Sequence, residues 1–307
     1  MPPVAASLRI GNAPLSYGAF ELTVGRFPNV PEPDDLLAEM AAAGYEGTEL
    51  GPPGYLGEGA ELRERLERHG LALTGGWCPF RFSEPEHWED DLTELSRTLD
   101  LFEAGGGTAP RPVFGDGGSP ARRANPGRGA EDGSLGLDSE GWSRWAEGAE
   151  RAAALARSRG FEPALHPHAA TNVEAPWEIE RALELTDLGL VVDPGHLLIG
   201  GADPVEVVRT WPDRVTYVHA KDARLDVVRA AIEDHADMLE AWRRGIFCQL
   251  GAGDADLGAF FEELSRIGYE GWIVVEQDRI PRPDEQLSES VAAQIANREW
   301  LREHVGL

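Results

Sequence analysis

Lys221 is the single lysine among the 28 basic residues of this 307-residue chain. Every other formal positive charge is an arginine, which cannot release its proton in a protein, whereas an amine can be tuned to gain and lose one. Cysteine is nearly as scarce. Cys78 and Cys248 lie far apart with no Cys-x-x-Cys spacing, which speaks against a disulfide framework or a zinc knuckle and for reduced thiols in a cytoplasmic protein. No apolar run reaches the ~18 residues of a membrane span, and the opening MPPVAASLRIG lacks the basic and apolar regions of a secretory leader. Cations are outnumbered by 54 carboxylates, for a formal charge of −26. That field repels phosphate backbones and disfavours nucleic acid as a partner, while an acidic surface favours solubility.

What is present is a core. Apolar residues make up 42% of the chain, with 9 Trp and 10 Phe, enough for one large α/β domain or two ordinary ones. Short apolar runs alternate with amphipathic stretches. Strands are expected at 8–15, 46–51, 71–77, 111–117, 161–168, 188–196, 214–222 and 271–278. Helices are expected at 33–45, 58–70, 85–106, 139–160, 176–187, near 203–211, over 226–244 and 256–267, and at 284–305. Eight strand–helix units in strict alternation predict a (β/α)8 barrel, one domain over residues 1–307. A doubly wound open sheet is the competitor, but IGNAPLSYG after the first strand lacks its G-x-G-x-x-G fingerprint. Residues 105–141 carry 11 glycines; this stretch, placed after the fourth strand, reads either as a surface insertion or as a lid over the barrel mouth. In LGAGDADLGAFFEEL (250–264) the P-loop lysine is missing, and Asp254 or Asp256 is expected to cap a helix.

The polar residues gather at strand ends. The fifth strand ends in His166 and His168, the sixth in Asp193 and His196, the seventh in His219, Lys221 and Asp222, and the eighth in Glu276 and Asp278. In a parallel barrel that end is where sites are built. Residues two apart share a face, so His166 pairs with His168 and His219 with Lys221. Converging imidazoles and carboxylates are costly to bury unpaired, and a divalent cation offsets that cost. Mixed nitrogen and oxygen ligation suits Mn, Co, Fe or Zn better than Ca or Mg. Asn12, Glu49 and Trp77, at the ends of the first three strands, are candidates to line the same mouth and contact substrate.

Five segments carry a resemblance: AGYEGTELGPPGYL (43–56), LHPHAAT (165–171), DPGHLLIGGADP (193–204), RVTYVHAKDAR (214–224) and GYEGWIVVEQD (268–278). Together they resemble the sugar isomerase/epimerase branch of the xylose-isomerase-like barrels, and within it the inosose dehydratases of inositol catabolism. The resemblance implies a divalent metal, Mn²⁺ or Co²⁺ ahead of Zn²⁺ or Fe²⁺, held by Asp193, His219, Glu276 and a residue of the fifth strand. That residue is commonly Glu in the superfamily; here it is His166 or His168, and His166 is favoured. It further implies dehydration of a keto-inositol such as scyllo-inosose, with His168, His196 or Lys221 moving protons. A metal-dependent ketose or inosose isomerase acting through an enediol is the nearest alternative, and a catalytically silent sugar binder a more distant one. Relatives of this kind are often dimers or tetramers.

Overall fold

The computed structural model describes residues 8–106, 110–130 and 132–307. In chain order its strands are β1 (Leu8–Asn12), β2 (Gly47–Glu49), β3 (Ala72–Phe80), β4 (Arg111–Asp116), β5 (Ala164–Leu165), β6 (Gly189–Val192), β7 (Val215–Ala220), β8 (Asp222–Ala223), β9 (Phe247–Cys248) and β10 (Gly271–Val275). Eight of them close into a parallel barrel in which β1 pairs with both β2 and β10. The short β8 and β9 form a separate antiparallel ribbon.

Strand alternation explains why a closed barrel forms. One phase of each strand (Val113, Ala164, Val191, Tyr217 and Val274) forms an interior plug, with Tyr217 Oη donating to Thr74 Oγ1 at 2.9 Å. The other phase (Ile10, Phe114, Leu165, Leu190, Val218 and Ile273) merges with helix residues such as Leu36, Leu37, Met40 and Phe260 in the main core. Strands apolar on both faces need cover on both, which a ring of helices provides. The helices start where capping chemistry allows: Asp138, Asp203 and Asp256 each accept backbone N–H groups of the turn they open. Asp256 is thus one of the two caps expected from the sequence.

Several boundaries move. The first strand ends at Asn12 and a 3₁₀ turn (Pro14–Tyr17) follows. The sixth strand, expected to reach His196, stops at Val192 because Asp193-Pro194 opens a short helix, Pro194–Ile199; proline suits a first helical position, where its missing N–H costs nothing. β3 runs on to Phe80. The helical stretch at 226–244 is two pieces, Leu225–Glu233 and Met238–Arg243. Among the described residues no helix is long and apolar enough to cross a membrane. The leader-free reading of residues 1–7 lies outside the described residues, as do positions 107–109 and 131 of the glycine-rich stretch.

That stretch does not simply follow the fourth strand; β4 divides it. Its second half is anchored. Arg122, in a short helix (Pro120–Arg123), is completely buried and pairs with Glu178 and, at 3.3 Å, with Glu174. Glu174 also accepts from Gly127 N at 2.7 Å and Ala170 N at 2.9 Å. The segment is therefore strapped to the loop that follows β5, the loop carrying His168.

Candidate metal and active site

The site is the next layer of the barrel interior. Moving two residues along each strand from the apolar plug leads from Ala164 to His166, from Val191 to Asp193, from Tyr217 to His219 and from Val274 to Glu276. Side chains two apart face the same way, so the same alternation that fills the barrel aims these four at its axis. The ladder continues past the formal strand ends to hold them: His166 N donates to Phe114 O at 2.9 Å and Glu276 N to Ala220 O at 3.1 Å. All four are buried, and each offers a ligand atom within 4.8 Å of the others.

Neighbouring hydrogen bonds set the two rings. His166 Nδ1 lies 2.7 Å from Pro167 O and donates to it, leaving the Nε2 lone pair directed inward. His219 Nε2 lies 3.0 Å from Glu49 Oε1 and donates to it, leaving Nδ1 facing inward. Those inward nitrogens approach to 3.1 Å, and Glu276 Oε2 is 3.0 Å from His219 Nδ1. Asp193 spends Oδ1 on His196 N, capping its helix at 3.1 Å. Its Oδ2 is buried and takes no hydrogen bond, yet sits 3.5 Å from His166 Nε2 and 3.6 Å from His219 Nδ1. Ligands bonded at about 2.1 Å to one ion are separated by roughly 3.0–3.5 Å in octahedral or tetrahedral geometry, which matches these spacings. Two imidazole lone pairs and an orphaned carboxylate oxygen around one point fit a divalent cation.

Lys221 adjoins this group. Its ammonium, 1% exposed, lies 3.2 Å from Asp193 Oδ2, 2.9 Å from Glu276 Oε2 and 2.7 Å from Asp278 Oδ1. Burial works against its charge, but Asp193, Asp278 and Glu276 outweigh burial and hold its pKa well above the ordinary lysine value. The three carboxylates thus favour the charged form of Lys221. For His219 burial is likewise outweighed, by Glu276 and Glu49, which push its pKa up.

His168 and His196 form a second pair, their rings 3.7 Å apart. One peptide sets both. Ala169 O accepts from His168 Nδ1 at 2.8 Å, and Ala169 N donates to His196 Nδ1 at 3.2 Å. His168 therefore keeps Nε2 as an acceptor, and His196 carries its proton on Nε2, which has no hydrogen-bond partner and points toward Asp278 Oδ2 at 3.7 Å. Burial, then the charge of His196 on one ring and of Lys221 on the other, depresses both pKa values well below the usual imidazole range.

A cleft of about 820 Å³, counted to where it opens to solvent, is lined by Glu49, Trp77, His166, His168, His219, Lys221 and Glu276, with Phe20, Trp242 and Asp278. Seven of the ten residues singled out from the sequence line it, and two more, Asp193 and His196, lie directly behind that wall in contact with Lys221 and His168. Asn12 does not. It sits one residue out of phase with the inward Ala13, and its amide donates to Gln294 Oε1 at 3.1 Å in the closing helix, Leu287–His304. Glu49 is in the cleft, but as the partner of His219. Asp278, noted at the eighth strand end but given no role, is at the site, and Phe247 of β9, which the sequence reading missed, has its ring 4.9 Å from Lys221 Nζ and packs against His196.

The model of the xylose isomerase-like TIM barrel matches residues 37–304. The chain belongs to that family. Within the xylose isomerase-like barrels it groups with inosose dehydratases: one from Geobacillus kaustophilus is 34% identical over 278 residues, covering 89% of this chain and 88% of the relative. The rhizopine catabolism protein MocC of Rhizobium meliloti is 33% identical, covering 81% and 75%. Among solved structures, D-allulose 3-epimerase from Methylomonas sp. superposes with a TM-score of 0.68 at 18% identity, covering 98% and 99%, a likeness of fold.

Proposed function

We propose that this protein is a metal-dependent hydro-lyase that removes water from a keto-inositol of the scyllo-inosose type in inositol catabolism. The observation that carries this reading is the split histidine pair beside the four-residue ligand group. Eliminating water from a β-hydroxyketone needs a base for the proton α to the carbonyl and an acid for the departing hydroxide. His168 Nε2, an acceptor on the cleft wall, fits the base; once it carries the α-proton it can deliver that proton to the departing hydroxide, to which the unpartnered His196 Nε2–H can donate a hydrogen bond. Burial lowers both pKa values, which favours the unprotonated ring that the base role of His168 needs. A divalent cation on His166, Asp193, His219 and Glu276, with Mn²⁺ or Co²⁺ suited to that donor set, would supply Lewis acidity to the carbonyl as the α-proton leaves, on the order of several kcal/mol. Lys221 holds Asp193, Glu276 and Asp278 in place, and Trp77 and Trp242 wall the ring of the substrate. The identities to inosose dehydratases support the same substrate class. The free thiols Cys78 and Cys248 suit a reducing, cytoplasmic setting.

Incubating the purified protein with scyllo-inosose and Mn²⁺ tests this. Loss of one water from the substrate mass is expected. Unchanged mass with a relocated ketone would replace the dehydratase reading with an isomerase.

A further inference from the structure

We propose that Lys221 is an internal counter-cation that competes with the divalent metal for the oxygens of Asp193 and Glu276. It holds the carboxylates together before the metal arrives, and it weakens metal binding. The inference rests on the metal reading above. It comes from which oxygens are shared: Lys221 Nζ touches Asp193 Oδ2 and Glu276 Oε2, the same two atoms that face His219 Nδ1 in the ligand group. Its third contact, Asp278 Oδ1, lies outside that group. One ammonium thus stands within ion-pair distance of three carboxylates, two of them in the ligand group. The stem is confined as well. A Cβ on Gly195 would stand 2.8 Å from Lys221 Cγ, and the Phe247 ring lies 4.9 Å from Nζ. The charge therefore cannot retreat when a dication enters, and in this desolvated layer the two repel strongly.

The arrangement also accounts for the single lysine. Three oxygens on the ends of β6 and β10 call for a compact point charge, whereas a guanidinium presents a planar fork suited to one bidentate partner.

The test compares chelator-stripped wild type with Lys221→Met and Lys221→Gln by calorimetric titration with MnCl₂ and by thermal melting. Both neutral variants should bind Mn²⁺ more tightly, by about ten-fold or more. Stripped, they should melt below wild type; with Mn²⁺ they should recover most of the difference. Folding of a variant only when Mn²⁺ is present gives the same support. Equal or weaker Mn²⁺ affinity in folded variants refutes the proposal, and so does failure of both to fold at saturating Mn²⁺. Wild type that binds no Mn²⁺ would instead overturn the metal reading itself.

Discussion

Glu49→Gln separates two roles for one carboxylate. In the structure Glu49 Oε1 accepts from His219 Nε2 at 3.0 Å, with both residues buried. That bond fixes which ring nitrogen is left to face the ligand group, and hydrogen bonds to a charged partner contribute about 1.5–3 kcal/mol. Glutamine can present either end of its amide. With the oxygen toward the ring the tautomer survives and only the charge is lost. With the nitrogen toward the ring, the proton moves to Nδ1 and His219 ceases to be a ligand. These limits correspond to a loss of Mn²⁺ affinity of about ten- to a hundred-fold, the scale on which hydrogen-bond partners of metal ligands act. Calorimetric titration of chelator-stripped protein with MnCl₂ reads this directly, with circular dichroism to verify the fold. If Glu49→Gln binds Mn²⁺ as wild type does while KM for the keto-inositol rises, Glu49 is a substrate contact, as its strand-end position alone suggests, and the orienting role is wrong.

Arg122→Met should leave Glu174 and Glu178 buried without their cation and lower stability by about 3–5 kcal/mol, visible as a clear drop in thermal midpoint; an unchanged midpoint would mean that the strap is not energetically coupled to the barrel. Lys221→Arg should fold but lose about a hundred-fold in kcat, since a guanidinium cannot meet three carboxylates at 2.7–3.2 Å without displacing them; full activity would rule out the compact-charge requirement. His168 and His196 have folded-state pKa values below the unfolded value of about 6.5, so the unfolded chain binds more protons on acidification. Their contribution to stability is present above pH ~6.5 and is lost as pH falls below it, by at most about 1.4 kcal/mol per pH unit for each ring. The half-buried His168 gives the smaller share. His219, shifted the other way, contributes fully below pH ~6.5 and does not mask the trend. Melting the chelator-stripped protein from pH 7 to 5 should show the decline, and His196→Asn should flatten it; parallel curves for both proteins would contradict the assignment.

The sequence made the barrel legible because short apolar runs alternate with amphipathic stretches, and β5, β6, β7 and β10 each lead into polar residues. That these four residues meet was legible in the same way: strand-end position points to His166, Asp193, His219 and Glu276, and the structure brings them together as a candidate ligand group. Parity also explains the failure at Asn12, a strand-end residue that is polar but one position out of phase. Asp278 carried a readable signal, two residues past Glu276, that the ligand motif overshadowed. Other features had none. The tautomers of His168 and His196 depend on the peptide of Ala169, which no residue type reveals. The pairing of Arg122 with Glu174 joins positions far apart in the chain, and the end of β6 depends on a cap whose carboxylate serves the helix with one oxygen and the site with the other.

That double use of Asp193 bears on why the layer demands positive charge. Glu49, Asp193, Glu276 and Asp278 are all buried, and Lys221 is the only side chain with a fixed positive charge in contact with this group among the described residues. Hydrogen bonding cannot make up the difference, because Asp193 has one oxygen committed to the helix N-terminus and the other unbonded. Below the layer lie Val113, Ala164, Val191 and Val274, and the Tyr217 hydroxyl of the same plug donates to Thr74 Oγ1. Charge must therefore arrive at the point His219 Nδ1 faces, as a proton or as a dication, and only one can occupy that lone pair at a time. Of the two carboxylates whose charges most raise the His219 pKa, Glu276 also belongs to the candidate ligand group, whereas Glu49 does not. A divalent metal bound by this group would therefore compete with a proton for the same nitrogen, and Mn²⁺ titrations run at different pH should show a proton released on binding.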